Sequence, residues 1–188
     1  VVIWLVTAPF LLYETFQLES KTIIIGVFIY CFTFLMLFSA SSLYHSSYNL
    51  NQRIKFRTLD HTAIYFFIAG TYTPILLMFI NNSFGMKVLT ALWIVTLIGT
   101  IFKLFFVAKF KLMSTIIYLL MGWTAIFIIN KILETMPTDI FYWIAAGGIC
   151  YTIGTYFYMR KTLQFTHFSW HLFVLAGAVC HLVAVFKS

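Results

Sequence analysis

The sequence predicts an all-α integral membrane bundle of seven transmembrane helices, and three observations predict it. Its residues are 62% hydrophobic and only 9% charged, where an ordinary soluble domain carries about 25% charged residues. Mean hydropathy is +0.97. The apolar residues also fall into successive runs broken by short polar connections, on the scale of the roughly 20 apolar residues a membrane-spanning helix needs. No soluble insert, low-complexity tract or internal repeat interrupts them. Residues 1–188 are therefore expected to form one membrane domain.

Taken in order, the first span, 1–13, is short, as expected of a helix that begins before Val1. No basic stretch precedes it, so it does not read as a signal peptide. Glu14, Glu19 and Lys21 mark a polar connection. The second span, 22–50, carries no formal charge, and His45 is its readily titratable side chain. Arg53, Lys55 and Arg57 form a basic connection, followed by Asp60. The third span, 61–80, contains Gly70 and Pro74, both tolerated in membrane helices. Asn81, Asn82, Ser83 and Gly85 read as a turn. In the fourth span, 86–107, Lys103 lies near the end, where a long side chain is expected to snorkel to the interface. Lys109 and Lys111 follow. The fifth span, 112–129, is expected to be closed by Lys131, Glu134 and Pro137. The sixth, 140–159, leads into Arg160 and Lys161, and the seventh is 166–186.

Charge sets the expected orientation. Of the 12 basic residues, Arg53, Lys55, Arg57, Lys103, Lys109, Lys111, Arg160 and Lys161 fall on one side, and Lys21, Lys87, Lys131 and Lys187 on the other. The richer side is cytoplasmic by the positive-inside rule, which puts the N-terminus in the cytoplasm and the C-terminus outside. The net charge of +7 does not point to nucleic acid, because the basic residues sit in short runs between apolar segments. Cys31, Cys150 and Cys180 lie inside apolar segments without CxxC spacing, the pattern of small core residues. Gly147, Gly148 and Gly154 on the sixth span allow close helix contact, which leaves the oligomeric state open.

The candidate chemistry gathers at the cytoplasmic side. His167 and His171 are four residues apart, one turn along one helix face, and can grip a single ion. The predicted topology brings His45 and Asp60 to the same layer. Ser41 lies one turn before His45 on its face. Three histidines and a water make a usual catalytic zinc arrangement, in which the bound water becomes a hydroxide nucleophile near neutral pH. His45, His167 and His171 are thus the expected zinc ligands. Asp60 is the expected general base or orienting carboxylate, and Ser41 a hydrogen-bonding partner of the water or an oxyanion. His61 points about 100° away from Asp60, and His181 lies about 15 Å beyond His171 along the axis, so neither is expected to join. His181 is expected to be a buried polar contact.

The stretches Ser41-Ser-Leu-Tyr-His45, Phe56-Arg-Thr-Leu-Asp60-His-Thr-Ala, and His167-Phe-Ser-Trp-His171 running on to His181 resemble the hemolysin III proteins. These are the bacterial branch of the progestin and adipoQ receptor family. The resemblance implies seven helices, inverted relative to G-protein-coupled receptors, in the cytoplasmic membrane of a bacterium. It also implies a zinc ion near the cytoplasmic face, surrounded by Ser41, His45, Asp60, His167 and His171. The wider superfamily includes alkaline ceramidases, so the activity it implies is hydrolysis of a lipid amide, in a ceramide-like or acyl lipid. Two other functions fit the same residues: a receptor-like or membrane-homeostasis protein with structural zinc, and an ion or proton pathway. Against the pathway, the polar residues cluster at one face, His181 excepted.

Overall fold

The computed structural model describes residues 2–17, 20–106, 110–160 and 165–188. The expectations placed on Glu19, Lys109 and Lys161 lie outside these residues, as does that on the side chain of Lys111. All regular structure among the described residues is helical. In chain order the helices are α1 (Val2–Phe16), α2 (Lys21–Ser46), α3 (Leu50–Phe79), α4 (Ser83–Phe106), α5 (Lys111–Gly122), α6 (Thr124–Phe127), α7 (Ile129–Thr135), α8 (Thr138–Met159) and α9 (Thr166–Lys187). Five of them, α2, α3, α4, α8 and α9, are long and apolar enough to cross a membrane. The helices group into two compact units, Val1–Ser114 and Thr115–Ser188.

In the first unit, α2 and α3 pack antiparallel in close register. Gly26 meets Pro74 and Leu77 so tightly that a Cβ would stand 3.0 Å from Leu77 and 3.2 Å from the Pro74 backbone. Further along, a Cβ on Gly70 would collide with the Thr33 side chain. About one turn beyond Gly70 on α3, the Phe67 ring lies 6.2 Å from Tyr30 and 5.6 Å from Phe34. Small residues at this seam let two backbones approach where lipid supplies no hydrophobic drive between helices. Buried hydroxyls turn back on their own helices, Thr71 to the Phe67 carbonyl at 2.8 Å and Thr73 to that of Ala69 at 2.8 Å. That satisfies them without water.

The connection between α2 and α3 is shorter than expected. The basic run is not a loop. Asn49 accepts hydrogen bonds on Oδ1 from the backbone N–H of Asn51 at 2.9 Å and of Gln52 at 3.2 Å. This cap starts α3 at Leu50, so Arg53, Lys55 and Arg57 are helical and Asp60 and His61 lie in the third turn. The expected turn at Asn82 is present, with its Oδ1 accepting from the N–H groups of Phe84 and Gly85, each at 3.0 Å. From there α4 presents one buried row, Gly85, Leu89, Leu92, Thr96, Gly99 and Lys103. Within it, Thr96 donates to the Tyr65 carbonyl at 3.3 Å and Gly99 lies against the Tyr65 ring. The opposite face exposes Ile94, Leu97, Ile98, Ile101, Leu104 and Phe105, as a lipid-facing surface would.

In the second unit, the expected fifth span of 112–129 is broken. α5 stops at Gly122, and bonds of i→i+3 type, Ile126 N–H to the Trp123 carbonyl at 3.0 Å and Ile128 N–H to that of Ala125 at 3.3 Å, tighten the chain on either side of α6. Glycine is a poor helix former, and the break lets Trp123 Nε1 donate to Thr152 Oγ1 on α8 at 3.0 Å. Lys131 and Glu134 do not end the helix, as expected, but sit inside α7 and pair at 2.7 Å. Pro137 ends it, because the residue before a proline is driven from helical geometry. α8 and α9 then pack antiparallel along their whole length, from Asp139–Lys187 at 2.5 Å to Tyr158–Trp170, whose ring centroids are 5.0 Å apart. Gly147 and Gly154 are used within this seam, against His181 and against Phe173 and Trp170. They are therefore accounted for inside the chain. The three cysteines are thiols.

Candidate functional site

Five candidate residues were expected, and the two units carry them separately. In the first unit, Ser41 and His45 are one turn apart near the end of α2, Ser41 half-buried and His45 exposed. The His45 ring lies 4.7 Å from that of Tyr44, and the Arg53 guanidinium sits 5.7 Å from the Tyr44 centroid. Asp60 is half-buried. It continues the row Ala63, Phe67, Gly70, Pro74 and Leu77 that α3 turns to α2. Prolonging the register in which Gly26 faces Pro74 and Thr33 faces Gly70 brings Ala40 and Ser41 level with Asp60. A hydroxyl, an imidazole and a carboxylate therefore share one end of the α2–α3 pair.

In the second unit, α9 starts from Phe165, whose φ of 60° is in the left-handed region. That conformation costs a non-glycine residue on the order of 1 kcal/mol. Within the first two turns, His167 Nε2 and His171 Nε2 stand 3.2 Å apart, with ring planes at 90°. Two nitrogens bound at about 2.05 Å to a tetrahedral zinc ion are separated by about 3.3 Å, so the pair matches the chord such an ion spans. His45, at the end of α2 in the first unit, carries a ring nitrogen of the same ligand type.

His61 and His181 have different surroundings. His61 is half-buried and lies on the row of α3 that includes Tyr65, which faces α4. His181 is a packing residue of the α8–α9 seam. Its Nε2 lies 3.2 Å from the Ile144 carbonyl, and its ring is 5.3 Å from Tyr151 and fills the space a Cβ on Gly147 would need. The Ile144 carbonyl can only accept, so Nε2 carries the proton.

One charged residue was misread in sequence. Lys103 does not snorkel; it is 2% exposed, on the α4 row that faces α3. The alternating four- and three-residue spacing from Gly85 through Gly99 to Lys103 was the signal for an inward position.

Comparison with known proteins adds the last observation. The chain matches the family model described as Haemolysin-III related over residues 1–182. It is similar to Hemolysin-3 of Bacillus cereus, 39% identical over 159 residues that cover 85% of this chain and 73% of that protein. It is also similar to the Hemolysin-3 homolog of Bacillus subtilis (strain 168), 38% identical over 162 residues, 86% of this chain and 76% of that protein. The human monocyte to macrophage differentiation factor is 30% identical over 133 residues, 70% of this chain and 55% of that protein. No solved structure matches.

Proposed function

The chain belongs to the haemolysin-III related family, a multi-pass membrane protein with bacterial relatives, and on that premise we propose that it is a zinc-dependent hydrolase of a lipid amide in a bacterial cytoplasmic membrane. The substrate class is a ceramide-like or acyl lipid. The zinc ligands in this reading are His45, His167 and His171, within a single seven-helix domain that places them near the cytoplasmic face. The observation that carries it is the 3.2 Å separation of the His167 and His171 Nε2 atoms.

Zinc, when bound, supplies Lewis acidity and lowers the pKa of its water to about 7. The chain's own residues do the rest. Asp60 takes the proton of the attacking water and returns it to the departing amine, the work of a general base and then a general acid. Ser41, level with it on α2, donates its hydroxyl hydrogen to the oxyanion that forms at the amide carbon. The lipid-facing surfaces of the spans let an acyl chain approach from within the bilayer.

The test pairs metal content with turnover in detergent-purified protein. Wild type is expected to carry about one zinc per chain and His171→Ala to lose it. Asp60→Ala is expected to keep its zinc while turnover of a fluorescent N-acyl lipid falls about 10²-fold or more. Wild type without zinc, after purification free of chelator, would sink the reading. Zinc that is retained, raises thermal stability and never accompanies a hydrolysed lipid would favour the structural-zinc function.

A further inference from the structure

We propose that Arg53 selects the lipid by its head group: the guanidinium binds a carboxylate or phosphate, so the amide hydrolysed is that of an anionic N-acyl lipid. The chemistry rests on the hydrolase reading, and the geometry belongs to the first unit alone. Arg53 precedes Asp60 by seven residues, two turns of helix. A helix returns to the same side at that spacing, so Arg53 and Phe56 prolong the row of Asp60, Ala63, Phe67 and Gly70 that α3 turns to α2. Contacts agree with that register. The guanidinium carbon lies over the Tyr44 ring of α2, 5.7 Å from its centroid, and that ring is 4.7 Å from the imidazole of His45. A cation is thus held at the same end of the α2–α3 pair as Ser41, His45 and Asp60.

That cation is open to a ligand. Arg53 is exposed, as are Tyr48, Leu50 and Ile54 near it in the chain. It takes part in neither ion pair found among the described residues, Lys131–Glu134 and Lys187–Asp139. Over an aromatic ring a guanidinium uses its face. Its edge carries N–H donors in a fixed fork, which matches two oxygens of one carboxylate or phosphate. Lys55 has the same charge and is also exposed, but it lies about 200° around α3 from Arg53 and so off the row.

The order of groups along the pair names the ligand. α3 has 30 residues, about 45 Å of helix against a hydrocarbon layer about 30 Å thick, so its polar first turns stand among head groups. From the bilayer outward, the α2–α3 seam presents the apolar contact of Phe34 with Phe67, then Ser41 and Asp60, then Arg53. An N-acyl lipid with a charged head presents its acyl chain, its amide and its anion in the same order. A neutral ceramide-like lipid has nothing to set against the last position.

The full chain would be placed in phosphatidylcholine nanodiscs and offered N-palmitoylglycine, N-palmitoyl phosphoethanolamine and, as the neutral probe, N-palmitoylethanolamine. Release of palmitate reads turnover. Native mass spectrometry reads binding of uncleavable analogues in which CH2 replaces the amide N–H. Wild type is expected to bind an anionic probe about tenfold more tightly than the neutral one, the tighter of the two anions naming the oxyanion. Arg53→Gln is expected to erase that preference, raising KM for the anionic amide more than it lowers kcat. Arg53→Lys keeps the charge without the fork and recovers only part of it. Lys55→Gln is expected to retain it in full. Equal binding of charged and neutral probes by wild type overturns the site, as does a preference that survives Arg53→Gln or falls equally in Lys55→Gln. The two readings fail separately. An Arg53-dependent preference without palmitate release sinks the hydrolase and supports the anion site, whereas release without any head-group preference sinks the anion site and leaves the hydrolase.

Discussion

His167 and His171 illustrate what a single helix can prepare by itself. Their four-residue spacing brings two Nε2 atoms to 3.2 Å with no help from any other element. Such a pair is sensitive to acid, since a ligand imidazole must be neutral and its ordinary pKa is about 6.5. If the proposed zinc is bound, its content, followed by a chromogenic chelator, is therefore expected to fall on acidification, with no loss on the alkaline side. Release that starts only well below pH 4, where carboxylates titrate, would point to acidic ligands instead. Lys103 teaches the converse. Its position near a helix end suggested an interfacial side chain, and only the row it shares with Thr96 and Gly99 shows that it turns inward.

At the scale of elements, close approach is what positions the candidate residues. The α2–α3 register that brings Ser41 level with Asp60 exists because Gly26 and Gly70 leave room for Pro74 and Thr33. In the other unit, the His181 ring occupies the notch at Gly147. Gly147→Ala should accordingly lower stability by about 1–3 kcal/mol, the usual cost of overpacking. His181→Ala in that background should recover part of the loss, giving a coupling of about 0.5–3 kcal/mol in a double-mutant cycle followed by thermal unfolding in detergent. Strictly additive effects would show that ring and notch do not meet. Asn49 shows how one side chain moves a boundary. By capping α3 at Leu50 it turns a basic run into helix, where a reading by charge alone sees a loop.

For the whole molecule, the basic residues favour one side eight to four, and the positive-inside rule predicts from this that Arg53, Lys55 and Arg57 lie in the cytoplasm and Lys187 outside. A phosphatase fused after Ser188 should then be active beyond the membrane, and a fluorescent protein fused there dark if exported unfolded. The opposite result would reverse the orientation and move the candidate metal site to the outer face.

The sequence alone determined that this is an all-helical membrane protein and which imidazoles and carboxylate are candidates for chemistry. Those properties follow from local hydropathy and from the fixed 3.6-residue turn, so neighbouring letters carry them. The turn at Asn82 was legible for the same reason, as a cluster of turn-forming residues. Only the tertiary structure decided the rest: that Lys103 is buried, that Gly147 and Gly154 receive α9, that His181 is a packing residue, and that the fifth span breaks at Gly122 so that Trp123 reaches Thr152. Each depends on what lies across a seam between helices distant in the chain. An inward row and a lipid-facing row are both apolar in a membrane helix, so hydropathy cannot tell them apart.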